Sequence, residues 1–420
     1  MKLKRRTELS VCVAAIGFTL GGLGTVVAQT DFAPGKQRAA RVRPNVSTMA
    51  IVSPRGTQFG DPLPGLTTAQ LGDFAQGLQE FQSADTPASG LGPIYNNVSC
   101  VACHFAPTSG GGSVLQVTRF GRLANGYFDP MTEQGGSLLQ SQAIDPAVQE
   151  RIPAEANVIA KRQTTPLFGL GLIEAIADAT IEQNATGRKP DGVSGRVSMV
   201  QDVASGQTRV GRFGWKAQQA SLLSFAGDAY VNEIGITNRL FPNENAPNGN
   251  TALLARFDTV ADPEDVTDAG TGKADIDRFA DYMRYLAPPP RLPLTLASTA
   301  GAVLFVEAGC NVCHQAFMLT AANPVAALDR KLVPLFSDLL LHDMGTLGDG
   351  IAQGAAQMSE MRTAPLWGLR MRTAFLHDGR ATTVDAAIRM HAGEAAKARD
   401  RFVAMPGGQQ DRLLQFLGSI

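Results

Sequence analysis

The sequence predicts a mostly α-helical protein with long irregular loops, built as two units of one layout. Three observations predict it. A pentapeptide with two cysteines and a histidine occurs twice, as Cys100-Val101-Ala102-Cys103-His104 and Cys310-Asn311-Val312-Cys313-His314. Apolar stripes at helical spacing accompany these pentapeptides. A second segment repeats in the same order: Thr164-Thr165-Pro166-Leu167-Phe168-Gly169-Leu170 matches Thr363-Ala364-Pro365-Leu366-Trp367-Gly368-Leu369. The pentapeptides lie 210 residues apart and these segments 199 apart, which points to duplication rather than coincidence.

Each element follows from its residues. Leu71, Phe74 and Leu78 keep helical spacing within residues 66–78, so a short helix is expected there. Ile276, Phe279, Met283 and Leu286 form one stripe, and Pro288-Pro289-Pro290 stops the helix that carries it. Ser298–Ala308 reads as a helix leading into the second pentapeptide, and Asp411–Leu417 as a closing amphipathic helix. Residues 105–150 hold few periodic runs. Their Ser109-Gly110-Gly111-Gly112-Ser113 lacks the Gly-Lys-Ser/Thr of a phosphate loop and reads as a flexible loop. Residues 185–215 read as irregular or short-stranded, and 243–275 as loop.

Cys-x-x-Cys-His is the attachment sequence of c-type haem. Thiols at i and i+3 share one face of a helical turn and can form thioethers to two vinyl groups. The adjacent imidazole can then reach the iron. At this chain's cysteine and histidine frequencies one such pentapeptide is expected by chance about once per thousand chains. A thioredoxin-like pair needs a βαβ context that is not visible, and a zinc site leaves the immediate histidine unexplained. The chain is therefore expected to hold two covalently attached haem c groups, on Cys100, Cys103 and His104 and on Cys310, Cys313 and His314. A helix before the motif and an amphipathic helix at the end of the unit is the layout of a cytochrome c domain. The expected fold is thus two fused cytochrome c-like domains, residues 29–290 with haem 1 and 291–420 with haem 2.

Residues 1–28 read as a signal peptide: Lys2, Lys4, Arg5 and Arg6, an uncharged stretch from Val11, and small residues before Gln29. The expected location is periplasmic, with no membrane span after leader cleavage. Cys12 leaves with the leader, so no cysteine remains for an unrelated disulfide. With 37 Lys plus Arg against 38 Asp plus Glu, the net charge is −1, which argues against a nucleic-acid or anionic-membrane binder.

Iron's far side takes His, Met or Tyr in electron carriers or stays open for chemistry. The remaining histidines, His342, His377 and His391, all follow the second motif. Haem 2 therefore has local histidines, while haem 1 must take Met, Tyr, a carboxylate, a distant histidine or nothing.

The chain resembles the di-haem cytochrome c oxidoreductases related to bacterial di-haem cytochrome c peroxidase, most closely their thiol-oxidoreductase branch. The resemblance rests on Arg212-Phe213-Gly214-Trp215-Lys216-Ala217-Gln218-Gln219, Asn232–Asn238, Asp338–Gly345 and Leu376-His377-Asp378-Gly379-Arg380-Ala381. It implies that His391, 14 residues beyond His377, is the sixth ligand of haem 2, with Met390 and His342 as competitors. His377 would bond a haem propionate or pack between domains. Trp215 would stand between the haems and Glu233 would be the catalytic acid/base. A glutamine that the peroxidases carry between them falls at Phe225, a departure in the expected pocket. Related peroxidases hold Ca2+ between their domains, and the sequence leaves open whether this chain does.

The expected function is a periplasmic, peroxidase-like di-haem oxidoreductase. It would reduce a small-molecule oxidant such as hydrogen peroxide at haem 1, with haem 2 relaying electrons from a small redox protein or other donor. The alternative is a non-enzymatic di-haem electron-transfer cytochrome. A third reading is a maturation oxidase acting on a protein side chain.

Overall fold

The computed structural model describes residues 57–420, and the predicted signal peptide, residues 1–28, lies outside them. The first half carries helices α1 (Thr68–Gln82), α2 (Leu170–Glu174), α3 (Asp178–Ala185), α4 (Leu222–Ala229), α5 (Thr251–Phe257) and α6 (Asp275–Tyr285). The second half carries α7 (Leu296–Glu307), α8 (Val384–Arg389), α9 (Ala396–Ala404) and α10 (Gly407–Leu417).

Two helix pairs repeat one arrangement. Helix α1 starts at a capping box in which Thr67 and Gln70 satisfy each other's amides. It crosses α6 at Gly77, where a Cβ would lie 2.4 Å from the carbonyl oxygen of Arg278. Helix α7 starts at the same kind of box, Thr295 with Ser298. It crosses α10 at Gly301, where a Cβ would lie 1.9 Å from the carbonyl oxygen of Arg412. Only glycine permits either approach. The repeated Pro-Leu segments follow the same rule: Gly169 and Gly368 both adopt left-handed φ, 71° and 74°. The Gly169 amide donates to Leu286 O beyond α6, and the Gly368 amide to Ile420 O beyond α10.

Each pair closes on aromatics. Tyr282 packs on Phe74 and Phe81 at 5.2 and 4.8 Å between centroids. Phe416 packs on Phe305 and Phe336 at 5.5 and 5.8 Å. The expected stripe of α6 is buried in full, from Ile276 to Leu286. The short helix expected within residues 66–78 runs over Thr68–Gln82; it buries Phe74, Gly77 and Phe81 toward α6 and leaves Leu71 42 % exposed.

Helix accounts for 34 % and strand for 16 %, so strand is a larger share than the sequence suggested. Residues 105–150 hold a nine-residue strand, Gln116–Ala124, paired antiparallel with Tyr127–Asp129, Leu138–Leu139 and Val158–Gln163. Arg119 and Arg122 fall on opposite faces of this strand, so polar residues on both faces blur the alternation that marks a strand. Residues 185–215 do hold short strands, Ser198–Asp202 and Gln207–Gly211. One hydrophobic cluster joins α1, α2, α4 and α6 with Met318, Leu328, Leu335 and Leu340. A second joins α7, α8, α9 and α10. Residues that follow the second pentapeptide thus pack into the first core.

Candidate haem centres and the wall between them

Each pentapeptide folds as a helical turn closed by its histidine: the His104 amide donates to Cys100 O at 3.0 Å, and the His314 amide to Cys310 O at 2.9 Å. None of Cys100, Cys103, Cys310 and Cys313 is in a disulfide. Each turn opens onto a cavity, about 1270 Å³ at the first and 1440 Å³ at the second.

The imidazoles are oriented alike. His104 Nδ1 lies 3.1 Å from Gly111 O and His314 Nδ1 lies 3.0 Å from Phe336 O. Burial lowers the pKa of both to about 4, so both rings are neutral. A neutral ring donating from Nδ1 to a carbonyl leaves Nε2 as a lone-pair donor, the state that ligates a metal. The glycine run read as a flexible loop is in fact a packed turn. Gly110, Gly111 and Gly112 are buried, and the Gly110 amide donates to His104 O at 2.9 Å. A Cβ at Gly111 would lie 1.9 Å from Ala106 O.

In the second cavity His391 joins His314. Its Nδ1 lies 2.8 Å from Ala387 O, in the last turn of α8, and burial lowers its pKa. It therefore offers a free Nε2 like the motif histidines. The competitors do not. His342 lines the cavity, but Nδ1 lies 2.8 Å from Glu394 and Nε2 lies 2.9 Å from Asp338. Burial opposes its charge, but hydrogen bonds to Asp338, Cys313 and Glu394 outweigh burial and raise its pKa. Met390 is 41 % exposed and does not line the cavity.

In the first cavity His104 is the one histidine. Glu233 is there, on a π-helical turn over Tyr230–Ile234, and its Oε2 accepts from Asn96 Nδ2 at 2.8 Å. Burial raises its pKa, Arg119 and Asn96 pull it down, and Asp228 raises it. Sequence reasoning missed Arg119 and Asn96. Arg119 and Val117 reach the cavity from one face of the strand Gln116–Ala124, and Arg119 Nε is buried with no partner. Phe225 lines this cavity and stacks on Phe213 at 6.1 Å.

Among the described residues, Trp215 is the one side chain that lines both cavities. Its Nε1 donates to Gln163 O at 3.0 Å, its carbonyl accepts from the Arg362 amide at 2.9 Å, and its ring meets His377 edge-on. A third space of about 610 Å³ lies beside it, lined by Arg212, Arg362 and Arg372 and by no carboxylate. That donor set does not fit Ca2+, which takes oxygens.

A family model described as "Di-haem oxidoreductase, putative peroxidase" matches residues 134–420. The chain belongs to this family of haem-dependent oxidoreductases, and membership implies two haem groups. The match begins after the first motif. Comparison with curated proteins finds no match. Among solved structures, the chain is similar to a Kuenenia stuttgartiensis hydrazine synthase, at 15 % identity, 91 % of this chain, 99 % of that chain and a TM-score of 0.39. A MauG-like protein associated with microbial copper homeostasis gives 15 %, 88 %, 92 % and 0.37. The di-haem peroxidase BthA from Burkholderia thailandensis gives 15 %, 83 %, 85 % and 0.37. No helix among the described residues is long and apolar enough to cross a membrane.

The residues fit haem. Each cavity offers two cysteines, an imidazole with a free Nε2 and largely apolar walls. Each also carries a buried guanidinium nitrogen without a partner, Arg119 Nε in the first and Arg372 Nη2 in the second, suited to a carboxylate substituent.

Proposed function

We propose that this chain is an exported di-haem c peroxidase-like oxidoreductase of two fused cytochrome c-like domains, reducing hydrogen peroxide or a similar small oxidant in the first cavity. The observation that carries the reading is the asymmetry of histidines: His314 and His391 share the second cavity, and His104 stands alone in the first. Cys100 and Cys103 would hold one haem and Cys310 and Cys313 the other, by thioethers. When bound, haem supplies an iron that exchanges electrons with the oxidant and the donor. His314 and His391 would both hold the iron in the second cavity and suit it to relay.

In the first cavity the chain's part is proton handling. Glu233 Oε, held by Asn96, would take a proton from one peroxide oxygen and return it to the other as the O–O bond breaks; with two electrons from the donor and two protons from solvent, both oxygens leave as water. Burial keeps its proton affinity high enough for both acts. Arg119 brings positive charge to the same cavity without ligating iron. Trp215 forms the wall that both cavities share and carries electrons between them. The donor is a small redox protein or other reductant.

Visible and paramagnetic-resonance spectra of the ferric protein test the asymmetry. One high-spin and one bis-histidine low-spin haem are expected. Two low-spin haems would make the chain an electron carrier, with Met283, buried in the first cavity, as the available ligand.

A further inference from the structure

Two arginines of the second half stand between the second cavity and the space beside Trp215. Arg362 and Arg372 line both. They flank the second copy of the repeated segment: Arg362 comes just before Thr363, and Arg372 three residues after Leu369. The first copy has Gln163 and Ile173 at those two places. The duplicated segments therefore differ here by two positive charges.

The protein answers neither charge. Arg162 and Arg212, also buried, meet Asp349 and Asp178. Arg362 donates from Nε to Gly214 O at 2.8 Å and from Nη1 to Thr363 O at 3.1 Å, and it has no ion pair among the described residues. The Arg372 guanidinium lies 5.8 Å from the Phe375 ring, and its Nη2 is shut off from water without a hydrogen-bond partner. Burial lowers the pKa of both arginines to about 10, so both stay charged near neutral pH. Two buried, unpaired guanidinium groups are strongly unfavourable unless an anion joins them. Their planar fork matches a carboxylate.

We propose that Arg362 and Arg372 together bind a propionate of the haem in the second cavity and hold that haem's reduction potential up. The inference rests on the reading that Cys310 and Cys313 carry haem. Positive charge near an iron disfavours the extra charge of its ferric state. A histidine as sixth ligand leaves a haem at a lower potential than a methionine would. The two arginines offset that loss, so haem 2 can still take electrons from a donor. Gln163 and Ile173 give the first half no such pair.

The test is a spectroelectrochemical titration of the holoprotein, with haem content read from intact mass. In Arg372→Gln the reduction equilibrium of haem 2 should shift at least about tenfold toward ferric, about 59 mV for one electron. Arg362→Gln should shift it the same way. Arg372→Lys keeps the charge and should recover most of the shift. Arg330→Gln, exposed and outside both cavities, should change nothing. The Arg372 side chain makes no hydrogen bond to the described residues, so its variant carries the test where Arg362→Gln misfolds. An unmoved potential in an Arg372→Gln protein that holds two haems overturns the proposal. So does an Arg372→Lys variant that falls as far as Arg372→Gln. A wild-type potential that follows added phosphate or chloride overturns it as well, because a diffusible anion then fills the space. Wild type without haem on Cys310 and Cys313 sinks the proposed function along with it, whereas the other results leave that function standing.

Discussion

Trp215 meets His377 edge-on, with ring centroids 6.3 Å apart and planes at 78°. Trp215 comes from the hairpin Phe213–Gln219 and His377 from the segment before α8, so the contact joins the two halves of the chain. The backbone ties it down: the Gln163 amide donates to His377 O at 2.7 Å while Trp215 Nε1 donates to Gln163 O. One residue, Gln163, thus fixes both rings.

That fixed ring predicts a separation of roles. Trp215→Phe keeps an aromatic wall and removes the indole. Haem content and ferric spectra should stay as in wild type. Electron exchange between the haems, followed by stopped-flow, should slow at least about tenfold, roughly 1.4 kcal/mol in the barrier. An unchanged rate would make Trp215 a packing residue only.

His391→Gly should convert one low-spin haem to high-spin, and added imidazole should restore it. His342→Gln should not, because both His342 nitrogens are engaged by Asp338 and Glu394. The opposite pair of results would move the ligand to His342.

The two candidate haem pentapeptides were legible because their chemistry is local. Two cysteines and a histidine within five residues announce themselves without a fold. His391, expected from its offset from His377, lines the second cavity beside His314. What sequence did not carry was long-range placement. Arg119 reaches the first cavity only because its strand pairs Arg119 with Ala160, and nothing in Val117-Thr118-Arg119 signals that pairing. The run Gly110–Gly112 looked loose because glycine permits flexibility, whereas here it permits close approach to Ala106 and orients His104. The helices expected at α1, α6, α7 and α10 are all present, because the apolar residues there keep helical spacing; Leu71 of α1 lies on the solvent face.

The two halves are also held by buried charge. Asp349 accepts from Arg162 Nε at 2.7 Å and pairs with Lys216 Nζ at 2.9 Å, and its side chain is 0 % exposed. Burial pushes the Asp349 pKa up, but Arg162 and Lys216 outweigh it, so the net shift is downward. A lowered carboxyl pKa gives stability that is present above the unfolded value of about 3.9 and is lost as pH falls through the folded one. Asp349→Asn leaves two buried cations facing each other and should cost about 3–5 kcal/mol in denaturant unfolding. It should also flatten the fall in stability below about pH 4. A loss under about 1 kcal/mol would show the triad to be solvated.

Glu233 carries the sharpest prediction. An acid/base for peroxide must lie in the cavity, stay off the iron and accept a proton near neutral pH. Glu233 lines the first cavity, half-buried, is oriented by Asn96 and has its pKa raised above the usual glutamate value. As the base it must be ionised, so activity should fall as pH drops through that raised pKa, and the acid limb should lie above about 4.3. Glu233→Gln keeps the size and one acceptor but cannot shuttle the proton. Peroxide-dependent oxidation of a reduced cytochrome should drop roughly 10²–10⁴-fold, with haem spectra unchanged and the acid limb gone. A loss under about tenfold with the limb intact assigns that limb to another group, and Asp228, whose pKa burial also raises in the same cavity, is the next residue to replace.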